Sequence, residues 1–258
     1  MGRFQMGPSS EESSAIPVIL AHRGASRLAP PNTLSSFKKA VELGADGVEL
    51  DVRLTKDNKL VVIHDPVVDH VSDGKGFVSN YTLGEIKKLD FGYRFSEEFR
   101  GEKIPTLEEA LDILRCLDLI NIEIKNDPFP YRDIEKITLE TIYNAGIKDK
   151  VIISSFDHEL LVRIRELDKD IKTGVLYSFR PVYSNLLAID ARADNLHPFW
   201  AVIGEDTVRD AHRIGLNIFP WTVDEKDIME RLMRWGVDGI ITNDVQLGLR
   251  VRSEVFPS

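Results

Sequence analysis

The sequence predicts an α/β protein folded as one TIM-type (β/α)8 barrel, with a small inserted subdomain after the third strand. From Pro17 onward, short β-rich segments alternate with longer amphipathic ones, which is typical of βα units around a parallel sheet. The length of 258 residues is close to the roughly 250 residues of a single barrel of this kind. Polar residues also gather where the predicted strands end, which is where barrel proteins assemble their sites.

Nine short apolar segments have the composition of strands, one more than a barrel needs. They are Val18–Ala21, Gly47–Val52, Leu60–Ile63, Ile120–Ile124, Val151–Ser154, Thr173–Tyr177, Asp194–Leu196, Asn217–Trp221 and Gly239–Thr242. Six longer segments carry apolar residues at helical spacing and are predicted to be helices. They are Thr33–Leu43, Thr106–Leu114, Arg132–Asn144, His158–Leu167, Asp206–Ile214 and Glu225–Trp235.

The alternation fails between the second and third predicted strands. Only Arg53–Lys59 separates them, too few residues for a crossover helix, so either a helix is missing or the two strands form a hairpin. A hairpin centred on Asp57 sets Glu49 and Asp51 opposite residues 63 to 65 and so brings His64 beside them.

The chain is predicted to be a single barrel domain over residues 16–258, preceded by a flexible tail over residues 1–15. An insertion at about residues 67–103 interrupts the repeats with a glycine-containing turn followed by several aromatic residues. It is either a surface elaboration with its own aromatic cluster or a cap that narrows the mouth of a barrel site.

Composition limits the class of protein and its partners. The 43% hydrophobic content suffices for a large core without disulfides, and the one cysteine, Cys116, lies in an apolar run and is expected to be buried. No segment approaches the roughly 18 apolar residues of a transmembrane helix, so a cytoplasmic protein is expected. The net charge of −9 argues against nucleic acid as a partner, and the sequence does not predict an oligomeric state.

Three carboxylates are the candidate metal ligands. Residues two apart in a strand share a face, so Glu49 projects with Asp51, and Glu123 projects with Lys125. If both faces point into the barrel mouth, three like charges converge, and a divalent cation resolves their repulsion. Oxygen ligation favours Mg²⁺ or Ca²⁺ over zinc, with Mn²⁺ also possible. The alternative is an outward strand edge whose acidic groups are solvated.

Two histidines are the candidate acid/base pair. His22 and His64 each end an apolar run, and imidazoles can both take and give a proton near neutral pH. Arg23 and Lys125 supply the positive charge that an acidic protein needs in order to bind phosphate, although ordinary salt bridges remain an alternative for both. Trp221 ends another strand and forms either an apolar wall for an alcohol moiety or part of the core.

The residues taken together resemble the glycerophosphodiester phosphodiesterase family over almost the whole chain, from Ile19 to Asp244. The signatures are Ala21-His22-Arg23-Gly24, Asn32-Thr33, Gly44 to Val52, Val61 to Asp65, Ile104 to Glu109, Asn121 to Lys125, Trp221-Thr222-Val223 and Asp238 to Thr242. The resemblance implies a divalent ion on Glu49, Asp51 and Glu123, acid/base catalysis by His22 and His64, and phosphate contacts from Arg23 and Lys125. It also implies hydrolysis of glycerophosphodiesters to an alcohol and glycerol 3-phosphate.

Two positions depart from the family pattern: the Asn243-Asp244-Val245 ending lacks the usual proline, and a departure at Pro31 bears on the site. The family usually reads Pro-Glu-Asn-Thr where this chain has Pro30-Pro31-Asn32-Thr33, so a carboxylate expected at the rim of the site is absent. Two rival functions stay open at this point: a lysophospholipase D activity on lysophospholipids, and a non-catalytic barrel that binds phosphodiesters.

Overall fold

The computed structural model describes residues 16–257, so the tail predicted over residues 1–15 lies outside the described part. Its strands are β1 Val18–His22, β2 Gly47–Leu54, β3 Leu60–Val62, β4 Leu119–Ile124, β5 Val151–Ser155, β6 Lys172–Tyr177, β7 Asn195–Pro198, β8 Asn217–Ile218 and β9 Gly239–Thr242. Its helices are α1 Leu34–Glu42, α2 Leu83–Ile86, α3 Leu107–Leu114, α4 Ile134–Ala145, α5 His158–Leu167, α6 Ser184–Ala191, α7 Glu205–Arg213, α8 Lys226–Arg234 and α9 Val245–Val255.

Eight of the strands form a nearly closed parallel barrel, which confirms the predicted fold class. The order of pairing is β8-β7-β6-β5-β4-β2-β1-β9. The two ends of this order meet through single backbone hydrogen bonds, from Asp238 N to Ile218 O at 3.1 Å and from Ile241 N to Pro220 O at 3.0 Å. β8 is shorter than predicted, and Pro220, which follows it closely, has no N–H for a continuous ladder.

The ninth strand, β3, lies off the barrel and resolves the ambiguity between Asp51 and His64. It pairs antiparallel with the end of β2, with Val52 opposite Val62 and Leu54 opposite Leu60. The hairpin is therefore centred on residue 57, and the Ile63 N–H donates to Asp51 O at 2.9 Å. The hairpin alternative is confirmed, and no helix is missing between the two strands.

Three helices and one side chain differ from the sequence expectations. Helices α2, α6 and α9 were not predicted; in α6 the apolar residues do not keep to one side, since Leu186 and Ile189 are about half exposed. The prediction that Cys116 is buried is wrong. It is exposed because α3 ends at Leu114 and Cys116 lies on the turn that follows. No helix within residues 16–257 is both long and apolar enough to cross a membrane.

The core has a main layer between the barrel and its helices and a small cluster inside the barrel. Leu20, Ile152, Phe219 and Ile241 fill the barrel interior below the site. Between β3 and α3, α2 and two 3₁₀ turns replace the regular repeats, and Val68, Val78, Ile86 and Phe91 pack with residues of the β3 region in a third cluster.

Candidate active site

The predicted site residues meet at the carboxyl ends of the strands. Seven of the eight line one cavity of about 260 Å³, here called the active-site cavity: His22, Arg23, Glu49, His64, Glu123, Lys125 and Trp221. The eighth, Asp51, lies directly beside it and is fully buried. The residues come from β1, β2, β4, the β3 hairpin and the segment after β8, so only the closed barrel brings them together.

Strand register explains why the three carboxylates converge. Asp51 on β2 pairs with Glu123 on β4, and Glu49 pairs with Asn121 one pleat lower. Each of the three offers an oxygen that lies within 4.8 Å of the other two. All three side chains are buried, so the alternative of solvated acids at a strand edge is wrong for the carboxylates.

Two cations lie against these carboxylates. Lys125 Nζ lies 2.5 Å from Glu123 Oε1 and 3.3 Å from Asp51 Oδ1, and Arg23 Nε lies 3.3 Å from Asp51 Oδ2. Burial would raise the pKa of Asp51, but Lys125 and Arg23 outweigh it and hold that pKa below its usual range. Burial and the neighbouring Asp51 raise the pKa of Glu49 well above its ordinary value.

Glu123 also holds its proton more strongly than a free carboxyl group. Burial raises the pKa of Glu123 to about 7, although the Lys125 ammonium opposes the shift. Without further positive charge, Glu49 and Glu123 therefore stay partly protonated near neutral pH. When all three carboxyl groups are ionised they outnumber the two cations, and a divalent cation would compensate the excess negative charge.

Arg23 reaches the carboxylates because the chain turns sharply after β1. Arg23 has φ of 57° and Gly24 has φ of +79°, both in the left-handed region. A side chain at Gly24 would place its Cβ 2.5 Å from Ser36 Oγ, so only glycine fits at this turn. The turn directs the Arg23 N–H back to Glu49 O at 2.8 Å and the guanidinium to Asp51.

His22 is held by hydrogen bonds to side chains that follow the neighbouring strand β9 and the strand β8. Its Nδ1 lies 2.7 Å from Asn243 Oδ1, and its Nε2 lies 3.8 Å from Glu49 Oε2. Asn243 donates in turn through Nδ2 to Asp224 at 2.6 Å. Burial, with the charge of Arg23, lowers the pKa of His22 to about 4, so the imidazole is neutral at pH 7.

His64 is held by other contacts than His22: a carboxylate binds its imidazole, and an arginine binds its backbone carbonyl group. Its Nδ1 lies 2.7 Å from Asp65 Oδ1, so Asp65 orients the ring. The buried Arg53 on β2 donates from Nε to His64 O at 2.8 Å, which ties the end of the hairpin to the barrel. Burial lowers the pKa of His64, while Asp51 and Asp65 oppose the shift.

Known proteins are similar to this chain in sequence. The model of the glycerophosphoryl diester phosphodiesterase family matches residues 22 to 247. A glycerophosphodiester phosphodiesterase of Caldanaerobacter subterraneus subsp. tengcongensis is 47% identical over 228 residues, covering 88% of this chain and 94% of that protein. The chain belongs to the glycerophosphoryl diester phosphodiesterase family. Membership makes it an enzyme that hydrolyses phosphoric diesters, as the sequence predicts.

Solved structures of the family agree with the fold. A phosphodiesterase of Oleispira antarctica, solved in complex with the product sn-glycerol-3-phosphate, is 28% identical with a TM-score of 0.84, covering 92% of this chain and 96% of that one. A glycerophosphodiester phosphodiesterase of Thermotoga maritima is 32% identical with a TM-score of 0.73, covering 91% and 98%. Family membership and the buried acidic triad together indicate a divalent metal ion.

Trp221 lies on the far wall of the active-site cavity. Its indole Nε1 donates to His197 O at 2.8 Å, and its ring meets Phe156 edge-on at 5.6 Å between centroids. The predicted apolar wall and the packing role coexist, because the ring is anchored on one side and lines the cavity on the other. His197 itself is fully buried inside the barrel, where burial lowers its pKa to about 3 and keeps it neutral.

Three polar residues that support the site were not singled out for it from the sequence. Asn32 donates from Nδ2 to Asp51 Oδ2 at 2.8 Å, and Asn243 and Asp224 hold His22. The Asn32-Thr33 signature marks the start of α1, where Thr33 is the N-cap, but gives no sign of the contact to Asp51. Asp224 and Asn243 follow different strands, so their pairing depends on how β8 and β9 meet.

Proposed function

We propose that the chain hydrolyses glycerophosphodiesters to an alcohol and glycerol 3-phosphate, with His22 and His64 as the acid/base pair and with a divalent cation on Glu49, Asp51 and Glu123. The proposal rests on one observation. Three buried carboxylates lie together at one cavity with two histidines, and the two imidazoles have different hydrogen-bond partners. A non-catalytic barrel has no need of this set, because binding a phosphodiester requires only the cations.

His22 is the base of the first step. Its Nδ1 faces the amide oxygen of Asn243, an acceptor, so the ring hydrogen lies on Nδ1 and the lone pair lies on Nε2. Nε2 points toward Glu49, at the carboxylate cluster, where it can take the proton of the attacking hydroxyl. That hydroxyl belongs either to the glycerol moiety of the substrate, which gives a cyclic phosphate, or to water.

His64 is the acid of the first step. Asp65, which faces Nδ1, and Asp51 oppose the lowering of the His64 pKa by burial and so favour the doubly protonated ring, which can then give its Nε2 proton to the leaving alkoxide. If a cyclic phosphate forms, water opens it in a second step and the two histidines exchange roles. The proton taken by His22 and the proton given by His64 balance over the complete reaction.

Arg23, Lys125 and Trp221 bind the substrate. Arg23 offers a planar fork of donors to the phosphate oxygens, and Lys125 offers a compact charge. Both already face the carboxylates at the cavity wall. A bound divalent cation supplies Lewis-acid stabilisation of phosphoryl charge, and oxygen ligands favour Mg²⁺, Ca²⁺ or Mn²⁺. Trp221 and Phe156 give the cavity an apolar wall.

The remaining sequence expectations also stay proposals. Residues 16–258 are proposed to form one barrel domain, with residues 67–103 as an insertion that narrows the mouth of the site. Supporting this, His70, Val71, Phe91, Arg94 and Phe95 line a cavity together with His64 and Arg23. The cytoplasmic location stays a prediction from the sequence.

A lysophospholipid substrate is the second candidate. Phe156 lines the active-site cavity, yet 47% of it is exposed, and Phe179 on the neighbouring loop is 55% exposed. Exposed aromatic side chains at a cavity mouth suit an acyl chain attached to the glycerol moiety.

The test is release of glycerol 3-phosphate by the purified protein from glycerophosphocholine and from glycerophosphoglycerol. The assay is run as purified, with EDTA, and with Mg²⁺, Ca²⁺ or Mn²⁺ restored, and the His22→Ala variant controls for contaminating activity. Turnover that is lost with EDTA and regained with a hard cation supports the proposal. Lysophosphatidylcholine is assayed in parallel by release of choline, and its turnover alone would favour the second candidate. Turnover of any substrate that survives EDTA would contradict the metal role.

A further inference from the structure

A second cavity, here called the outer cavity, adjoins the active-site cavity. Its volume is about 220 Å³. The two cavities have Arg23 and His64 as common walls. A larger cavity of about 630 Å³ lies between the starts of α6 and α7, and its lining includes no residue of the active-site cavity. Of these two cavities, only the outer cavity shares walls with the active-site cavity and so extends it.

Two parts of the chain build the walls of the outer cavity. Pro30 and Pro31 come from the loop after β1, and Phe91 and Phe95 come from the segment between β3 and α3. Phe91 is nearly buried, whereas 39% of Phe95 is exposed, so the cavity is apolar at its base and open at its rim. The volume accommodates a small alcohol.

Arg94 is the charged side chain of the outer cavity that no ion pair within residues 16–257 offsets. Among the described residues that line it, Asp65 is the sole carboxylate, and its Oδ1 is engaged by His64 Nδ1 at 2.7 Å. Arg94 donates from Nε to Ser72 O at 3.1 Å and forms no ion pair with any residue in the range 16–257. Arg23 is already compensated by Asp51. Pro31 and His70 bring no negative charge to the rim.

We infer that the outer cavity binds the alcohol that leaves the phosphate, and that it selects an uncharged, hydroxyl-rich alcohol over a quaternary ammonium alcohol. The inference rests on the proposed function. A phosphodiester has two arms that diverge from phosphorus; with one against Trp221, the other passes His64 into the outer cavity. The bond from phosphorus to that arm's oxygen breaks, and the oxygen takes the His64 proton.

The aromatic side chains do not reverse this selection. A quaternary ammonium group is attracted to aromatic faces, but such sites are strongest when several rings surround the cation. Here Phe91 and Phe95 share the cavity lining with the Arg94 guanidinium, which repels a cation and offers N–H donors to hydroxyl groups, and the one lining carboxylate, Asp65, is hydrogen-bonded to His64. A polyol such as glycerol or inositol fits both the volume and the charge.

The experiment compares kcat/KM for glycerophosphoglycerol and glycerophosphocholine in the metal-loaded wild type and in Arg94→Glu. The wild type is expected to prefer glycerophosphoglycerol, and Arg94→Glu is expected to lower the ratio of the two values by about fivefold or more. Arg94→Lys, which keeps the charge but not the contact to Ser72, is expected to leave the ratio unchanged. Arg180→Glu makes the same charge change at the α6–α7 cavity and is the matched control.

The outcomes separate this inference from the proposed function. Turnover with a choline preference, or a ratio that Arg94→Glu does not move, overturns the inference and leaves the function intact. A ratio that follows Arg180→Glu instead assigns the alcohol to the α6–α7 cavity. Calorimetric binding of both diesters to metal-loaded His22→Ala measures the same preference without turnover. The inference is therefore tested even if the wild type hydrolyses no diester, a result that would refute the proposed function.

Discussion

The side-chain oxygen of Asn243 lies 2.7 Å from Nδ1 of His22, and Asp224 determines which way that amide points. Asp224 can only accept, so the Asn243 Nδ2 group must face it, at 2.6 Å, and the oxygen must face the imidazole. The amide orientation therefore fixes the tautomer of His22. The ring hydrogen is on Nδ1, and Nε2 is left with its lone pair toward the carboxylates.

Replacing Asn243 by alanine is expected to lower kcat by about 10- to 100-fold with little change in KM, because the imidazole loses its tautomer and orientation but not the phosphate contacts. The ¹⁵N shifts of His22 should then report a mixture of tautomers. Ser26→Ala removes only the second donor to the same oxygen, at 2.9 Å, and is the control. Equal effects of the two variants would contradict a positioning role for Asn243.

The acid and base roles can be separated with a better leaving group. A p-nitrophenol ester needs little protonation as it leaves, so His64→Ala should lose much less activity on the nitrophenyl diester of glycerol phosphate than on glycerophosphoglycerol. His22→Ala should lose similar activity on both, because the base acts on the nucleophile. Steady-state rates on the two substrates provide the measurement, and the reverse pattern would exchange the two assignments.

Metal binding is expected to strengthen as pH rises through about 7. Glu49 and Glu123 have a raised pKa, to about 7 for Glu123, so the folded metal-free protein keeps protons that the unfolded chain releases above pH 4.5. Their contribution to metal-free stability therefore falls as pH rises through that window, and a bound cation removes the loss. The increase in Tm on adding Mn²⁺ should be larger at pH 8 than at pH 5.5.

Glu123→Gln is the control for this effect. The neutral amide has no proton to release, so both the Tm increase and its dependence on pH should shrink. A Tm increase in the wild type that is the same at both pH values would mean that these carboxyl groups do not exchange protons for metal.

Lys125 stabilises the metal-free site and should matter less once a cation is bound. Lys125→Met leaves Asp51 and Glu123 buried without their ammonium partner, which is expected to cost about 3 kcal/mol of unfolding free energy in EDTA. Adding a divalent cation should recover most of that loss. Urea unfolding with and without Ca²⁺ measures it. Lys39→Met breaks the exposed pair with Glu42 and should change neither value.

The sequence predicts the barrel and the positions of the reacting groups because both follow from local periodicity. Alternation in β2 and β4 places Glu49, Asp51 and Glu123 on inward faces, and parallel neighbours share the same end of the sheet. The position of His64 follows equally from the seven residues between two apolar runs, which allow a hairpin centred on Asp57 and leave no room for a helix.

The parts that escape prediction depend on contacts between distant elements. Asn243 and Asp224 lie on separate loops, and nothing in either local pattern shows that one holds the other and through it His22. Helix α6 escapes because its apolar residues are spread around the helix rather than gathered on one side. The sequence predicts a buried Cys116 because an apolar run gives no sign of where its helix ends.

The β3 hairpin carries His64 separately from the other predicted site residues. Seven predicted site residues lie on or beside barrel strands, whereas His64 lies on a ribbon that the barrel does not need for closure. Since neighbouring residues of a strand face opposite sides, adding or deleting one residue in the turn around Asp57 would turn His64 away while leaving the carboxylates in place. The same separation allows the ribbon and the segment behind it to diversify independently, so new leaving-group preferences can arise without rebuilding the metal centre.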